Sequence, residues 1–397
     1  MYNRLLNISE SLTFFLFGAR STGKTSLLRA NSSLAKALWI DLLDDDFFLA
    51  LTRHPTSLES MVVEHLAGGG TQSSWIVIDE IQRVPKLLNE VHRLLESKEL
   101  HGRVKFALTG SSARKLKRVG ANMLGGRAVL YRLFPLTFIE LGSDFSLEQV
   151  LNWGALPAVF AANDDAERAL LLKGYLGTYL REEIREEQIV RQLDPFTRFL
   201  EVAAQSSGLI VNFSSIGRDC NVDSNAVNRY FQILEDTLLG FTLPAYSKSI
   251  RKQQNQAPKF FLFDLGVQRA LMGTLSIPVV PRSYGYGRVF EQFVILEIHR
   301  LNHYLNRDLR LYYLRTKDDA EIDLVIENPS GETLLVEIKS TSSVSDEEVN
   351  KLARFLPDFS NSKAMIISQE ETPRRVGKVR ILPWKMGIQE IVGYAQP

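Results

Sequence analysis

Two groups of residues in this 397-residue chain have the types and spacing that chemistry needs. The first is Gly18-Ala19-Arg20-Ser21-Thr22-Gly23-Lys24-Thr25, of the form G-x-x-x-x-G-K-[ST], followed by Ser26. Glycines at those places let backbone N–H groups turn inward and close on an anion. Lys24 can then reach the outer phosphates of ATP, and the Thr25 hydroxyl can ligate Mg²⁺. Asp79 and Glu80 lie 54 and 55 positions after Thr25. An acid pair at that distance suits a second Mg²⁺ contact at Asp79 and a Glu80 that orients the attacking water. The second group is Asp323, Glu337 and Lys339, with Glu291 upstream. Carboxylates are what Mg²⁺ or Mn²⁺ accepts alongside retained waters.

The elements around the first group read as alternating strands and helices over 1–140. Leu12 to Phe17 is an apolar run before the glycine loop, and Ser26-Leu27-Leu28-Arg29-Ala30 starts a helix after it. Ala37 to Leu42 is a second strand. Ser74 to Glu80 is a continuous apolar run ending in the acid pair, the pattern of a parallel strand covered on both faces. A helix follows over Pro85 to Ser97. Val104 to Ser112 is a strand ending in small polar residues. Placed between the glycine loop and the Asp79 strand, it would bring Thr109 or Ser111 to the γ-phosphate. Of the basic run Arg114 to Arg118, a solvated helix face is the bland reading and a DNA contact the sharper one. Arg127, after Gly125-Gly126, can act as an arginine finger on a neighbouring copy's phosphate in a homo-oligomer.

Length and composition bound the rest. At this length two or three domains are expected. The chain is 45% hydrophobic and 23% charged, with net charge +1, so no global field points to nucleic acid and a basic patch must be local. Cys220 is the only cysteine, which fits a reducing cytoplasm. No apolar run approaches the length of a membrane span, and Leu12 to Phe17 is too short for a signal peptide.

Residues 141–195 read as a helical lid or linker, with charged amphipathic runs at Ala166 to Leu172 and Tyr179 to Glu187. Residues 196–270 read as a winged helix-turn-helix. Phe196 to Ala204 is one helix, a serine-capped helix starts at Ser214, and Ser224 to Leu234 is the recognition helix. Val227, Tyr230, Phe231 and Leu234 should be buried. Asn225, Asn228, Arg229 and Gln232 should face out, where such side chains touch phosphates and base edges of DNA. Lys248, Arg251, Lys252 and Lys259 fall on the wing. A winged helix used only for packing between domains is the alternative.

Residues 271–397 carry the second group. Ala320 to Ile326 alternates, 328–332 turns, and Thr333 to Lys339 returns. This loop sets Asp323 opposite Glu337 and Glu321 opposite Lys339. The like-charge pair is unfavourable unless a divalent cation lies between the two acids. Lys339 could position or activate a water beside it, and Glu291, in the helix Val289 to Arg300, is a fourth member.

Asp323 followed by Glu337-x-Lys339, preceded by Glu291, resembles the PD-(D/E)XK nuclease core. The chain as a whole resembles bacterial and archaeal AAA-type ATPases that carry a C-terminal domain of uncharacterised function with that core. Beyond the glycine loop the similarity rests on Ile78-Asp79-Glu80-Ile81-Gln82, Leu108-Thr109-Gly110-Ser111-Ser112, Gly126-Arg127, Leu133-Phe134-Pro135-Leu136, Lys259 to Gly266, Phe290 to Val294 and the hairpin. The family pattern has proline before or near its first acid, where this chain has Glu321-Ile322. The resemblance implies an ATPase that acts on DNA.

The expected fold class is α/β: a P-loop parallel-sheet ATPase domain, a winged helix-turn-helix and a C-terminal PD-(D/E)XK nuclease-like α/β domain. The expected function is ATP-driven DNA processing with a Mg²⁺- or Mn²⁺-dependent nuclease-like domain. The alternative is an ATP-switched DNA- or protein-binding regulator whose nuclease fold is inactive.

Overall fold

The computed structural model describes residues 2–69, 74–111, 124–180, 193–247 and 256–394, with 114 and 116 besides. The chain forms two compact units: Leu6–Phe134 with Asp236–Leu239, and Met1–Leu5 with Pro135–Glu235 and Gly240–Pro397.

The first unit is built on β1 (Phe14–Phe17), β2 (Leu38–Asp41), β3 (Ser74–Asp79), β4 (Val104–Gly110) and β5 (Val129–Arg132), in sheet order β2-β3-β4-β1-β5. All four pairings are parallel. The strands are apolar along their length because both faces are covered. Every residue of β1 and β3 is buried. Phe15, Phe17, Ile76, Ile78 and Phe106 share a core with Leu58 and Val62 of the helix Ser57–Gly69 and Leu87, Val91 and Leu94 of the helix Leu87–Glu96. As expected, β4 lies between β1 and β3. Its register sets Gly110 beside Phe17 and Leu108 beside Ile78. The carboxyl ends of β1, β4 and β3 therefore stand side by side.

The second unit begins with short helices. Thr137 and Glu140 close a capping box on Phe138–Leu141, and Glu140 also pairs with Arg4 at 2.8 Å. The helices Leu147–Trp153 and Asp165–Gly174 follow. Next come the helices Leu193–Gln205, Phe213–Cys220 and Ser224–Asp236 and the antiparallel pair β6 (Gly240–Leu243) and β7 (Lys259–Leu262). The middle helix is capped by Asn212, whose side chain accepts from Ser215 N at 3.0 Å, not by the expected serine. Val227, Phe231 and Leu234 are buried, whereas Tyr230 is half-buried, its ring set edge-on against Phe196. After β7 the Asp264 carboxylate caps the helix Leu265–Leu271 and accepts from Ala155 N at 2.8 Å.

A mixed six-stranded sheet completes this unit: β8 (Arg310–Arg315), β9 (Glu321–Glu327), β10 (Thr333–Ile338), β11 (Ser362–Ser368), β12 (Arg374–Val376) and β13 (Val379–Pro383), in order β12-β13-β11-β10-β9-β8. One face packs Leu324, Val336 and Ile367 against Phe290, Phe293 and Val294 of the helix Tyr284–Tyr304. The other packs Val325, Leu335 and Ile366 against Val349 and Leu352 of the helix Asp346–Ala353. The β9–β10 ladder pairs Leu324 with Val336, the register expected from the loop.

Candidate functional site

The glycine loop leaves β1 at Phe17 and enters the helix Lys24–Ala30. Gly18 has no room for a side chain, since a Cβ there would meet the Leu133 carbonyl oxygen at 2.4 Å. Gly23 turns the chain at φ 94°, a conformation glycine takes without strain. The Lys24 ammonium donates to the Gly18 carbonyl at 2.8 Å, so the loop folds around its own lysine. The Thr25 hydroxyl donates to Asp79 Oδ2 at 2.8 Å. That bond joins the loop to the end of β3 and brings the two expected Mg²⁺ contacts together. Thr109 Oγ1 donates to the other Asp79 oxygen. Glu80 stands just beyond, in left-handed backbone at φ 57°.

Of the two candidates on β4, Thr109 holds Asp79, while Ser111 is buried and receives the Gln82 amide at 3.2 Å. The same amide donates to Glu80 Oε2. Gln82 was not singled out in the sequence as a site residue. No catalytic motif marks it; the structure shows it packed on Gly110, where a Cβ would come within 2.3 Å of Gln82 Oε1. Ala19 and Thr22 are buried in the loop, Arg20 is half-buried, and Ser21 and Ser26 are exposed. Arg127 pairs with Glu96 at 2.5 Å. Arg114 pairs with Asp236 at 2.7 Å, and Lys115, Lys117 and Arg118 lie outside the described residues.

The second group lines a cleft of about 580 Å³. Its floor holds Glu291 from the helix Tyr284–Tyr304, Glu321 and Asp323 from β9, and Glu337 and Lys339 from β10 and just beyond. The ladder stops short of the like-charge pair. Asp323 Oδ2 instead accepts from Ile338 N at 2.8 Å. Lys339 pairs with Glu337 at 2.6 Å, not with Glu321 as the register suggested. The partner of Glu321 is Lys259, at 2.5 Å, and the same ammonium lies 3.3 Å from Glu291. Lys259 is thus no wing contact for DNA. It is buried at the start of β7, with its charge inside the cleft.

Burial pushes the Glu337 carboxyl up to about 8 and Glu291 to about 7, and the Asp323 carboxylate adds to both. Burial also raises Asp323. Burial pulls the Lys259 ammonium down, but Glu291, Asp323 and Glu321 together hold it above an ordinary lysine. The cluster thus carries more acid than its lysines neutralise. Among the described residues no three His, Cys, Asp or Glu side chains gather to hold a metal ion. The donors fit an ion of the Mg²⁺ type, which takes one or two carboxylates and keeps its waters, and not a closed cage.

Asn225, Asn228, Arg229 and Gln232 are exposed on the helix Ser224–Asp236, as their spacing required. Lys248, Arg251 and Lys252 lie outside the described residues. No helix among the described residues is long and apolar enough to cross a membrane.

The β4 insertion and the Thr25–Asp79 bond give the first unit the arrangement of an AAA-like P-loop domain. Residues 10–142 match the family model described as "AAA domain". Residues 144–276 and 286–386 match two models described as domains of unknown function, DUF8612 and DUF4143. Two relatives that match most of the chain carry the description "uncharacterized protein". One from Mycobacterium tuberculosis is 28% identical over 330 residues, covering 83% of this chain and 70% of the relative. One from Haemophilus influenzae is 21% identical over 368 residues, 86% of each chain. Among solved structures, the Aeropyrum pernix ORC1 protein in complex with DNA overlaps 66% of this chain and 86% of that one, at 16% identity and a TM-score of 0.24. Caenorhabditis elegans PCH-2 overlaps 68% and 62%, at 15% identity and 0.23.

Proposed function

We propose that the protein is an ATP-hydrolysing, DNA-binding protein with a nuclease-like C-terminal site. The Thr25–Asp79 hydrogen bond, with Glu80 next in the chain, carries the ATPase part. Thr25 and Asp79 would hold Mg²⁺, directly or through water, and the ion would neutralise charge developing on the phosphates. Lys24 would turn from the Gly18 carbonyl to the outer phosphates. Glu80, steadied by Gln82, would orient the attacking water. Arg127 acting on a neighbouring copy belongs to the same reading. The test is ATP binding and turnover in two variants. Lys24→Ala should lose nucleotide binding, and Glu80→Gln should bind ATP and not turn it over. Wild-type turnover in Glu80→Gln would remove Glu80 from the role of base.

Three helices followed by an antiparallel pair support a winged helix, with the exposed Asn225 and Arg229 facing DNA. Lys248, Arg251 and Lys252 are assigned to the same contact from the sequence alone. Glu291 on a helix with Asp323, Glu337 and Lys339 at one end of a hairpin supports the PD-(D/E)XK reading. Asp323 and Glu337 would hold Mg²⁺ or Mn²⁺, which supplies charge stabilisation for phosphodiester cleavage. Lys339 would position a water. A second reading keeps the ATPase and makes the C-terminal site inactive. It is favoured by the Lys259 ammonium already seated among the acids. Thermal unfolding with Mn²⁺ and no nucleotide separates the two, beside a cleavage assay on plasmid, linear and branched DNA. The first requires a Mn²⁺ shift that Asp323→Asn abolishes, together with cleavage. No shift and no cleavage leaves the ATP-switched binding protein.

A further inference from the structure

Lys259 reaches the acidic cleft from outside the sheet that builds it. Its backbone pairs with Leu243 on β6 and bridges to Ile210. The next three residues, Phe260, Phe261 and Leu262, are buried, so the root of the side chain is fixed. Its tip lies between carboxylates on two different elements, Glu291 of the long helix and Glu321 of β9, with the Tyr313 ring 5.6 Å away. One partner would suffice to neutralise a buried lysine. Two partners, with Asp323 and Glu337 on the same floor, make the ammonium a charge that the whole cluster feels.

We infer that Lys259 is a tethered cation that competes with a divalent ion for the carboxylate cluster, and so ties β7 to that cluster when no ion is bound. The inference rests on the reading of Asp323 and Glu337 as a cation site. Competition is reciprocal: an ion on Asp323 and Glu337 loosens the hold on Lys259 by the factor by which Lys259 weakens the ion. Binding of a divalent ion would therefore slacken the connection between β7, which the helix-turn-helix segment precedes, and the sheet that carries the acids.

The measurement is Mn²⁺ affinity by calorimetric titration of the full chain without nucleotide, with Asp323→Asn giving the background from other sites. Lys259→Met removes the charge and keeps the bulk. Lys259→Gln also removes the charge but retains a donor for Glu321, guarding against misfolding. Both should bind Mn²⁺ about tenfold or more tighter than wild type, and Lys259→Arg should stay near wild type, because charge at this spacing sets the effect. A gain below about threefold in both neutral variants, with wild type binding Mn²⁺, overturns the tethered cation and leaves the metal site standing. A gain in Lys259→Arg equal to that in Lys259→Met also overturns it, since shape would then be the cause. If no Asp323-dependent binding occurs in any variant, the cation-site reading fails and the inference fails with it.

Discussion

Glu80 is a non-glycine residue in left-handed backbone, a conformation that persists only where the surroundings hold it. Two contacts hold it: its N–H faces Thr109 Oγ1 at 3.4 Å, and its carboxylate receives the Gln82 amide. Gln82 in turn reaches Ser111 on β4. The acid pair is therefore oriented by the hydrogen bonds of Thr109 and Gln82, with Ser111 behind Gln82. Gln82→Leu removes the donor and nearly conserves the volume. Turnover should fall on the order of tenfold to a hundredfold, the usual scale for a misplaced reacting group, with ATP affinity little changed. Unchanged turnover would make Gln82 a packing residue only. A loss of affinity equal to the loss of turnover would place it in ground-state binding instead.

Under the winged-helix reading, DNA contact belongs to the helix Ser224–Asp236 and the basic residues that follow β6. Phosphate contacts give a binding constant that falls with salt, with a slope set by the number of contacts. Replacing Arg229, Lys248, Arg251 and Lys252 together by alanine should weaken DNA binding and flatten that slope, measured by anisotropy over a salt series. Unaltered binding would move the contact elsewhere, with the run around Arg114 the next candidate. At this scale the sequence was informative wherever the signal is local. The continuous apolar run of β3 announced a buried parallel strand. The polar end of β4 announced a strand beside the glycine loop, and the five-residue turn fixed the β9–β10 register. Side-chain partners brought in from far along the chain were not legible. Register put Glu321 opposite Lys339, yet Glu321 turns to Lys259, 62 positions earlier, because Asp323 takes the Ile338 N–H and the ladder ends before that pair. Lys259 read as a wing lysine since nothing in its neighbours marks a strand end aimed at a cleft. Ser214 read as the cap because serine is a good one, but Asn212, two residues earlier, accepts the bond.

Across the molecule the charges nearly cancel, at net +1, so pH acts on stability through particular buried groups rather than through overall repulsion. The acid cleft holds the strongest set. Burial and Asp323 keep Glu337 protonated up to about 8 and Glu291 up to about 7, whereas a glutamate in the unfolded chain loses its proton near about 4.3. Between those limits the folded state carries more protons than the unfolded one, so stability must fall as pH rises. The groups facing them do not reverse the sign. Lys259 and Lys339 are held above ordinary lysine and stay charged throughout, and Asp323 is raised by burial in the same sense as the glutamates. The second unit should therefore lose stability from about pH 5 to about pH 8 in urea unfolding without divalent ions. Glu337→Gln should flatten the trend, because the amide has no proton to lose and no charge to desolvate. Mn²⁺ should flatten it as well if Asp323 and Glu337 take the ion, since binding displaces the same protons. A wild-type protein whose stability rises over that interval, or a Glu337→Gln variant with the wild-type slope, would show that the cleft is open enough to water for its carboxylates to ionise freely.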